Sequence, residues 1–106
     1  MNKYGIPCSN LKVEEECIPV TSEIEAIAIA AGTYLAGKEP SVYMQNTGLL
    51  RIVEVILTLH KPYEIPLPHL ILSMRKTPYH HSFVYSATEK IIELLEWKNI
   101  ERIEEK

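Results

Sequence analysis

Glu23 heads the run Pro19-Val20-Thr21-Ser22-Glu23-Ile24-Glu25-Ala26-Ile27-Ala28-Ile29-Ala30-Ala31-Gly32, and no charged residue follows from Ala26 to Gly37. A carboxylate at the mouth of so apolar a segment sits in low dielectric, where such a group can hold and pass a proton. Taken alone, a first-turn acid is also what the helix dipole favours. Glu25 is explained by local structure, since Ser22 and Glu25 form an S-x-x-E capping box. Other candidates are scattered. Ser9 can face a ligand or bond its own turn. Gln45 and Asn46 at a strand end can touch a cofactor or satisfy a turn. His80-His81 can shuttle protons or bind an anion, or form an exposed polar loop. Arg75 can pair with a phosphonate or sulfonate, or simply end a strand at the surface. His60 and His69 read as structural. The histidines and the two cysteines, Cys8 and Cys17, lack metal-ligand spacing, so no metal site is expected.

The element that must position Glu23 is a helix from Ser22 to about Ala36, with Gly37 as its C-terminal cap. It is apolar on every side and too short for a bilayer, which takes roughly 20 apolar residues. Such a helix must be buried on every side. A chain of 106 residues has little material for that. One face is therefore expected on the chain's own sheet and the other on a second chain.

The remaining elements follow from pattern. Tyr4 to Pro7 reads as a strand, Ser9 to Glu15 as a helical turn, and Glu16 to Val20 as a strand. Ser41 to Gln45 is β-prone and ends in a turn at Asn46-Thr47-Gly48. From Leu49 to His60, Arg51, Glu54 and Thr58 form one wet stripe on an otherwise apolar helix. Prolines 62, 66 and 68 stiffen the loop Lys61 to Pro68. His69 to Ser73 is a strand and Arg75 to Tyr85 a loop. A helix follows from Ser86, capped with Glu89, to about Trp97. Ile100 to Ile103 is a last strand, and Glu101 to Lys106 a solvated tail. Alternating short apolar strands and helices predict one α/β domain, residues 1–106, with a mostly parallel sheet flanked by helices in three layers. Ligands then belong beyond the carboxyl ends of the strands, where the candidates converge.

Composition excludes several classes. A net charge of -3 offers no basic surface for nucleic acid or acidic membranes. The first residues lead into no signal-peptide core, and two cysteines without CxxC spacing suit a reducing compartment, so a cytoplasmic protein is expected.

Three segments resemble the pyrimidine-binding domain of thiamine diphosphate-dependent 2-oxoacid decarboxylases, in the phosphonopyruvate and sulfopyruvate decarboxylase branch. Gly5-Ile6-Pro7-Cys8-Ser9-Asn10-Leu11 looks like that branch's G-V-P-C-S-x-L. Thr21 to Gly32 looks like T-N-E-G-x-A-V-A-I-A-A-G. Val42-Tyr43-Met44-Gln45-Asn46-Thr47-Gly48-Leu49 looks like V-Y-M-Q-N-S-G-L, and His81 with Thr88 matches an H-x6-T spacing. The resemblance implies the thiamine diphosphate-binding fold, shortened and without its usual first helix. It implies that Glu23 hydrogen-bonds N1′ of the aminopyrimidine and that Gln45, Asn46 and Gly48 line the cofactor. It places Ser9 and His80 near substrate and gives His81 a catalytic role. Four departures stand out. G-L-G-N reads Gly48-Leu49-Leu50-Arg51; the first helix is missing; the loop from Arg75 to His81 is short; and no G-D-G…N-N motif occurs. That motif holds magnesium and diphosphate in the family, so both are expected on a partner chain, with the cofactor shared. The implied function is the pyrimidine-binding subunit of a split decarboxylase acting on phosphonopyruvate or sulfopyruvate in a hetero- or homo-oligomer. The alternative is a truncated, non-catalytic homologue with an assembly or regulatory role.

Overall fold

The computed structural model describes residues 2–5, 17–77, 79 and 82–104. Five strands, β1 (Asn2–Gly5), β2 (Cys17–Pro19), β3 (Pro40–Gln45), β4 (His69–Met74) and β5 (Ile100–Glu104), form one sheet in the order β2-β1-β3-β4-β5. Every pairing is parallel. Helix α1 (Glu23–Leu35) joins β2 to β3. A helical stretch over 46–60, here α2, joins β3 to β4, and α3 (Ser82–Leu95) joins β4 to β5. The α/β class with a parallel sheet and flanking helices is as expected.

The core explains why these segments settle as they do. Val42 and Met44 of β3 pack with Leu70, Leu72 and Met74 of β4 against Ala26, Ile27 and Ala30 of α1, Leu49, Ile52 and Ile56 of α2, and Ile92 and Leu95 of α3. Alternate strand residues therefore serve this one core, as the period of two requires. A side chain such as Ile27, fully buried, stabilises by about 1.5–3 kcal/mol. The opposite parity of β3 and β4 carries Ser41, Tyr43, Ile71 and Ser73, which are buried as well.

Helix α1 is capped at both ends as its sequence predicts. Ser22 Oγ accepts the Glu25 N–H at 3.1 Å. Gly37 takes φ +86°, its N–H bonds Tyr34 O at 2.9 Å, and Lys38 N–H bonds Thr33 O at 3.1 Å, which is a Schellman closure. One face of α1 is buried. On its other face Ile24 is 50% and Leu35 70% exposed, so the second cover that so apolar a helix needs is not supplied by the described residues.

Two expectations need correction. Asn46-Thr47-Gly48 is not a turn but the first part of α2 (Asn46–Leu49), because the Asn46 amide bonds another segment instead of its own backbone. The rest of α2 passes through a 3-10 turn (Leu50–Ile52) and ends in a π-turn (Ile56–His60). α3 starts at Ser82, not Ser86. The Ser86 hydroxyl donates to Ser82 O at 3.0 Å inside the helix, and Glu89 pairs with Arg102 at 2.7 Å, so neither caps it. The apolar stripe Val84-Thr88-Ile92-Leu95 runs through Ser86 and carries the helix with it. The last strand is present as expected: β5 runs to Glu104, paired with β4, and Glu101 to Glu104 are exposed, as a solvated tail requires.

Candidate functional site

The chain leaves β1 for β2 on one side and returns to β3 on the other, so the strand order reverses between β1 and β3. The carboxyl ends at such a reversal form the usual ligand crevice of open parallel sheets. Here those ends are Gly5 and Gln45. β2 finishes at the same edge, with Val20 N–H bonded to Gly5 O at 2.9 Å, and α1 starts three residues later. Glu23, the first residue of α1, is thus delivered to the edge by chain geometry.

The Glu23 side chain is only 13% exposed. It lies across Gly48, where a Cβ would stand 2.6 Å from Glu23 Cγ and 2.9 Å from Oε1. The glycine therefore makes the bed in which the carboxylate rests. Arg51 Nη1 lies 3.5 Å from Oε1, and its side chain is 72% exposed. Gly48 and Arg51 are three apart on α2 and so share a face.

Glu25 behaves differently. Its carboxylate accepts the Thr21 hydroxyl at 2.7 Å, in place of the Ser22 backbone N–H of a full capping box. It closes the helix entrance and points to no site. Asn46 is fully buried, and its amide is used up internally. Oδ1 accepts Arg75 N–H at 2.9 Å, while Nδ2 donates to Arg75 O at 3.2 Å and Thr88 Oγ1 at 3.3 Å. Asn46 thus braces the end of β4 against α2 and α3. Gln45 is half-buried at the end of β3. Arg75 is half-buried, and its Nε–H donates to Thr77 O at 3.0 Å. Ser9, His80 and His81 lie outside the described residues.

The structure therefore brings Glu23, Gly48 and Arg51 together at the edge and sets Gln45 and Asn46 beside them. Sequence reasoning noted Arg51 as part of a wet helix stripe and as a departure from a motif, not as a site residue. Its spacing of three from Gly48 puts it on the same helix face, but nothing in the sequence says that this face meets Glu23. Two clefts of about 370 and 410 Å³ open at the opposite, amino-terminal edge of the sheet, and neither is lined by Glu23. There burial pushes the His60 imidazole below its ordinary pKa. Among the described residues no group of three or more His, Cys, Asp or Glu is placed to hold a metal. No helix among them is long and apolar enough to cross a membrane.

What the edge can do is limited and specific. Among the described residues, one nearly covered carboxylate stands at the strand reversal, against a glycine and beside a cation. It can bind a planar nitrogen donor and share a proton with it, but it encloses nothing by itself.

No protein-family model matches the chain. Over 80 residues it is 43% identical to the sulfopyruvate decarboxylase subunit alpha of Methanocaldococcus jannaschii, covering 67% of this chain and 47% of that protein. It is 38% identical over 82 residues to the subunit of the same name from Methanothermobacter thermautotrophicus, covering 69% of this chain and 49% of the relative. It is 36% identical over 72 residues to a sulfopyruvate decarboxylase of Methanosarcina acetivorans, 61% of this chain and 19% of the relative. The chain spans about half the length of the curated alpha subunits it matches. The resemblance read from the sequence is borne out on its sulfopyruvate decarboxylase side.

Proposed function

From this homology to sulfopyruvate decarboxylase alpha subunits, we propose that the chain is the pyrimidine-binding part of a split thiamine diphosphate-dependent decarboxylase acting on sulfopyruvate. The observation that carries the reading is the Glu23 carboxylate in its glycine bed at the strand reversal. That geometry fits an aminopyrimidine. A covered carboxylate on a rigid helix end can meet a ring nitrogen in the plane of the ring and hold a proton there. When bound, thiamine diphosphate supplies the nucleophile and electron sink that cleave the carboxylate from a 2-oxoacid.

In this reading Glu23 holds or shares the proton at N1′. Gly48 keeps the space that lets the carboxylate lie flat, and Gln45 lines the neighbouring wall. Asn46 acts through its brace on Arg75 more than by its own contact, because no amide group of it is left over. Ser9 and His80 are assigned to substrate and His81 to proton transfer, on the resemblance alone. Magnesium and the diphosphate are assigned to a partner chain, a reading supported by the name subunit alpha that the relatives carry. The uncovered face of α1, with Ile24 and Leu35, is the surface assigned to that partner.

The test is a pair of substitutions in the complex with the partner. Glu23→Gln keeps size and hydrogen bonding but removes the exchangeable acid. The C2–H exchange of bound thiamine diphosphate should slow by orders of magnitude while folding changes little. Glu25→Gln should weaken only the helix entrance, by roughly 0.5–2 kcal/mol at most, and leave exchange near normal. Equal exchange in wild type and Glu23→Gln, with cofactor bound in both, defeats the proposal.

A further inference from the structure

The stretch from Gly48 to Arg51 is where this chain departs from the family motif. Gly48 makes room for Glu23, and Arg51 then closes over the end of the same side chain, with Nη1 3.5 Å from Oε1. The two partners differ sharply in exposure, 13% for Glu23 and 72% for Arg51. The carboxylate is fixed and nearly covered, whereas its counter-ion stands in solvent on a long, flexible stem. A pair so exposed carries little preference, at most about fivefold. It does not orient Glu23, because the glycine bed and the first turn of α1 already do.

The geometry points to Arg51 as a displaceable latch on Glu23. In the chain alone it stands 3.5 Å from Oε1 as a loose ion pair, and it has to move aside when an aminopyrimidine nitrogen takes that oxygen. The inference rests on the assignment of Glu23 to the aminopyrimidine. The guanidinium and a ring N–H are both drawn to the same carboxylate oxygen. A cation near the carboxylate also opposes proton sharing with the ring, since the ring takes on positive charge in accepting the proton. The latch therefore lowers both cofactor affinity and ease of proton transfer at N1′. The looseness of the contact makes it reversible.

The experiment uses the complex of this chain with its diphosphate-binding partner. Thiamine diphosphate affinity is measured by calorimetry and C2–H exchange by NMR, for wild type, Arg51→Asn and Arg51→Lys, each with Glu23 intact and as Glu23→Gln. Arg51→Asn should bind about two- to fivefold more tightly and exchange faster by a similar factor. Arg51→Lys, which keeps the cation, should stay near wild type. With Glu23→Gln in place, changing Arg51 should do nothing. Equal or weaker binding by Arg51→Asn, or a gain that survives in Glu23→Gln, overturns the latch. These outcomes are separable from failure of the underlying assignment. That failure is read from Glu23→Gln alone, when it leaves exchange unchanged, and the latch falls with it.

Discussion

A methyl group at position 48 would stand 2.6 Å from Glu23 Cγ, closer than carbon atoms approach without movement. The Glu23 side chain can swing away at modest cost, and alanine gains up to about 1 kcal/mol over glycine in a helix. Gly48→Ala is therefore expected to change stability by no more than about 1 kcal/mol in urea melts. Its effect should fall on the site: the carboxylate leaves its bed, and C2–H exchange in the complex drops toward the Glu23→Gln level. A large loss of stability with normal exchange would show that the glycine serves packing instead. The position of Glu23 at the strand edge was legible, because the capping pattern of Ser22 and Glu25 places it in the first turn of a helix that follows a strand. The parts played by Asn46 and Arg51 were not. Asn46 meets Arg75 across 29 positions of sequence, and Arg51 meets Glu23 across two connections of the fold. No local pattern encodes such contacts.

At the level of elements, the three helices end in the same way but with different residues. α1 closes on Gly37 at φ +86°, whereas the turns after α2 and α3 close on Glu64 and Glu96 at φ 55° and 56°. In each glutamate case the bonds are of Schellman type. Ile65 N–H reaches His60 O at 2.9 Å, and Trp97 N–H reaches Ile92 O at 3.2 Å. A side chain in the left-handed region costs roughly 1–2 kcal/mol, partly offset by the freedom glycine loses on folding. Glu64→Gly and Glu96→Gly should each stabilise the chain by roughly 0.5–1 kcal/mol, and Gly37→Ala should destabilise it by about 1 kcal/mol. Urea denaturation of the three variants checks the signs. The sequence announced the first of these closures and hid the other two, because glutamate carries no signal for a left-handed turn. Ser86 and Glu89 misled in the opposite sense. They have the spacing of a capping box, but four more residues of apolar stripe upstream outweigh a cap worth about 1 kcal/mol.

Over the whole molecule, the two edges of the sheet divide the work. The carboxyl edge presents Glu23, and the amino edge closes the core around His60 and Trp97. Parallel α/β architecture was legible from the alternation of elements, but the order β2-β1-β3-β4-β5 was not, since nothing in a short strand states which neighbour it will take. His60 shows what the amino edge costs. It is 1% exposed, and among the described residues neither ring nitrogen has a hydrogen-bond partner. The charged groups lining the cleft beside it are Lys61, Glu64, Glu96 and Lys98. Desolvation holds its pKa below the ordinary 6.5, so the folded chain resists a proton that the unfolded chain accepts. Stability is then full above pH 6.5 and falls as the pH drops through 6.5 toward the lower folded value, by up to about 1.4 kcal/mol per pH unit. The Glu89–Arg102 pair works in a separate window. Its hydrogen bond lowers the Glu89 pKa below 4.5, so its small contribution is lost only in stronger acid. His60→Leu removes the titration and both unpaired nitrogens at nearly constant bulk. The variant should be at least as stable as wild type at pH 7, and its advantage should widen steadily as the pH drops from about 6.5 to about 5 in urea melts. A gap that stays constant across the range would mean that His60 takes up its proton equally well in the folded chain, and that its burial sets no pH dependence.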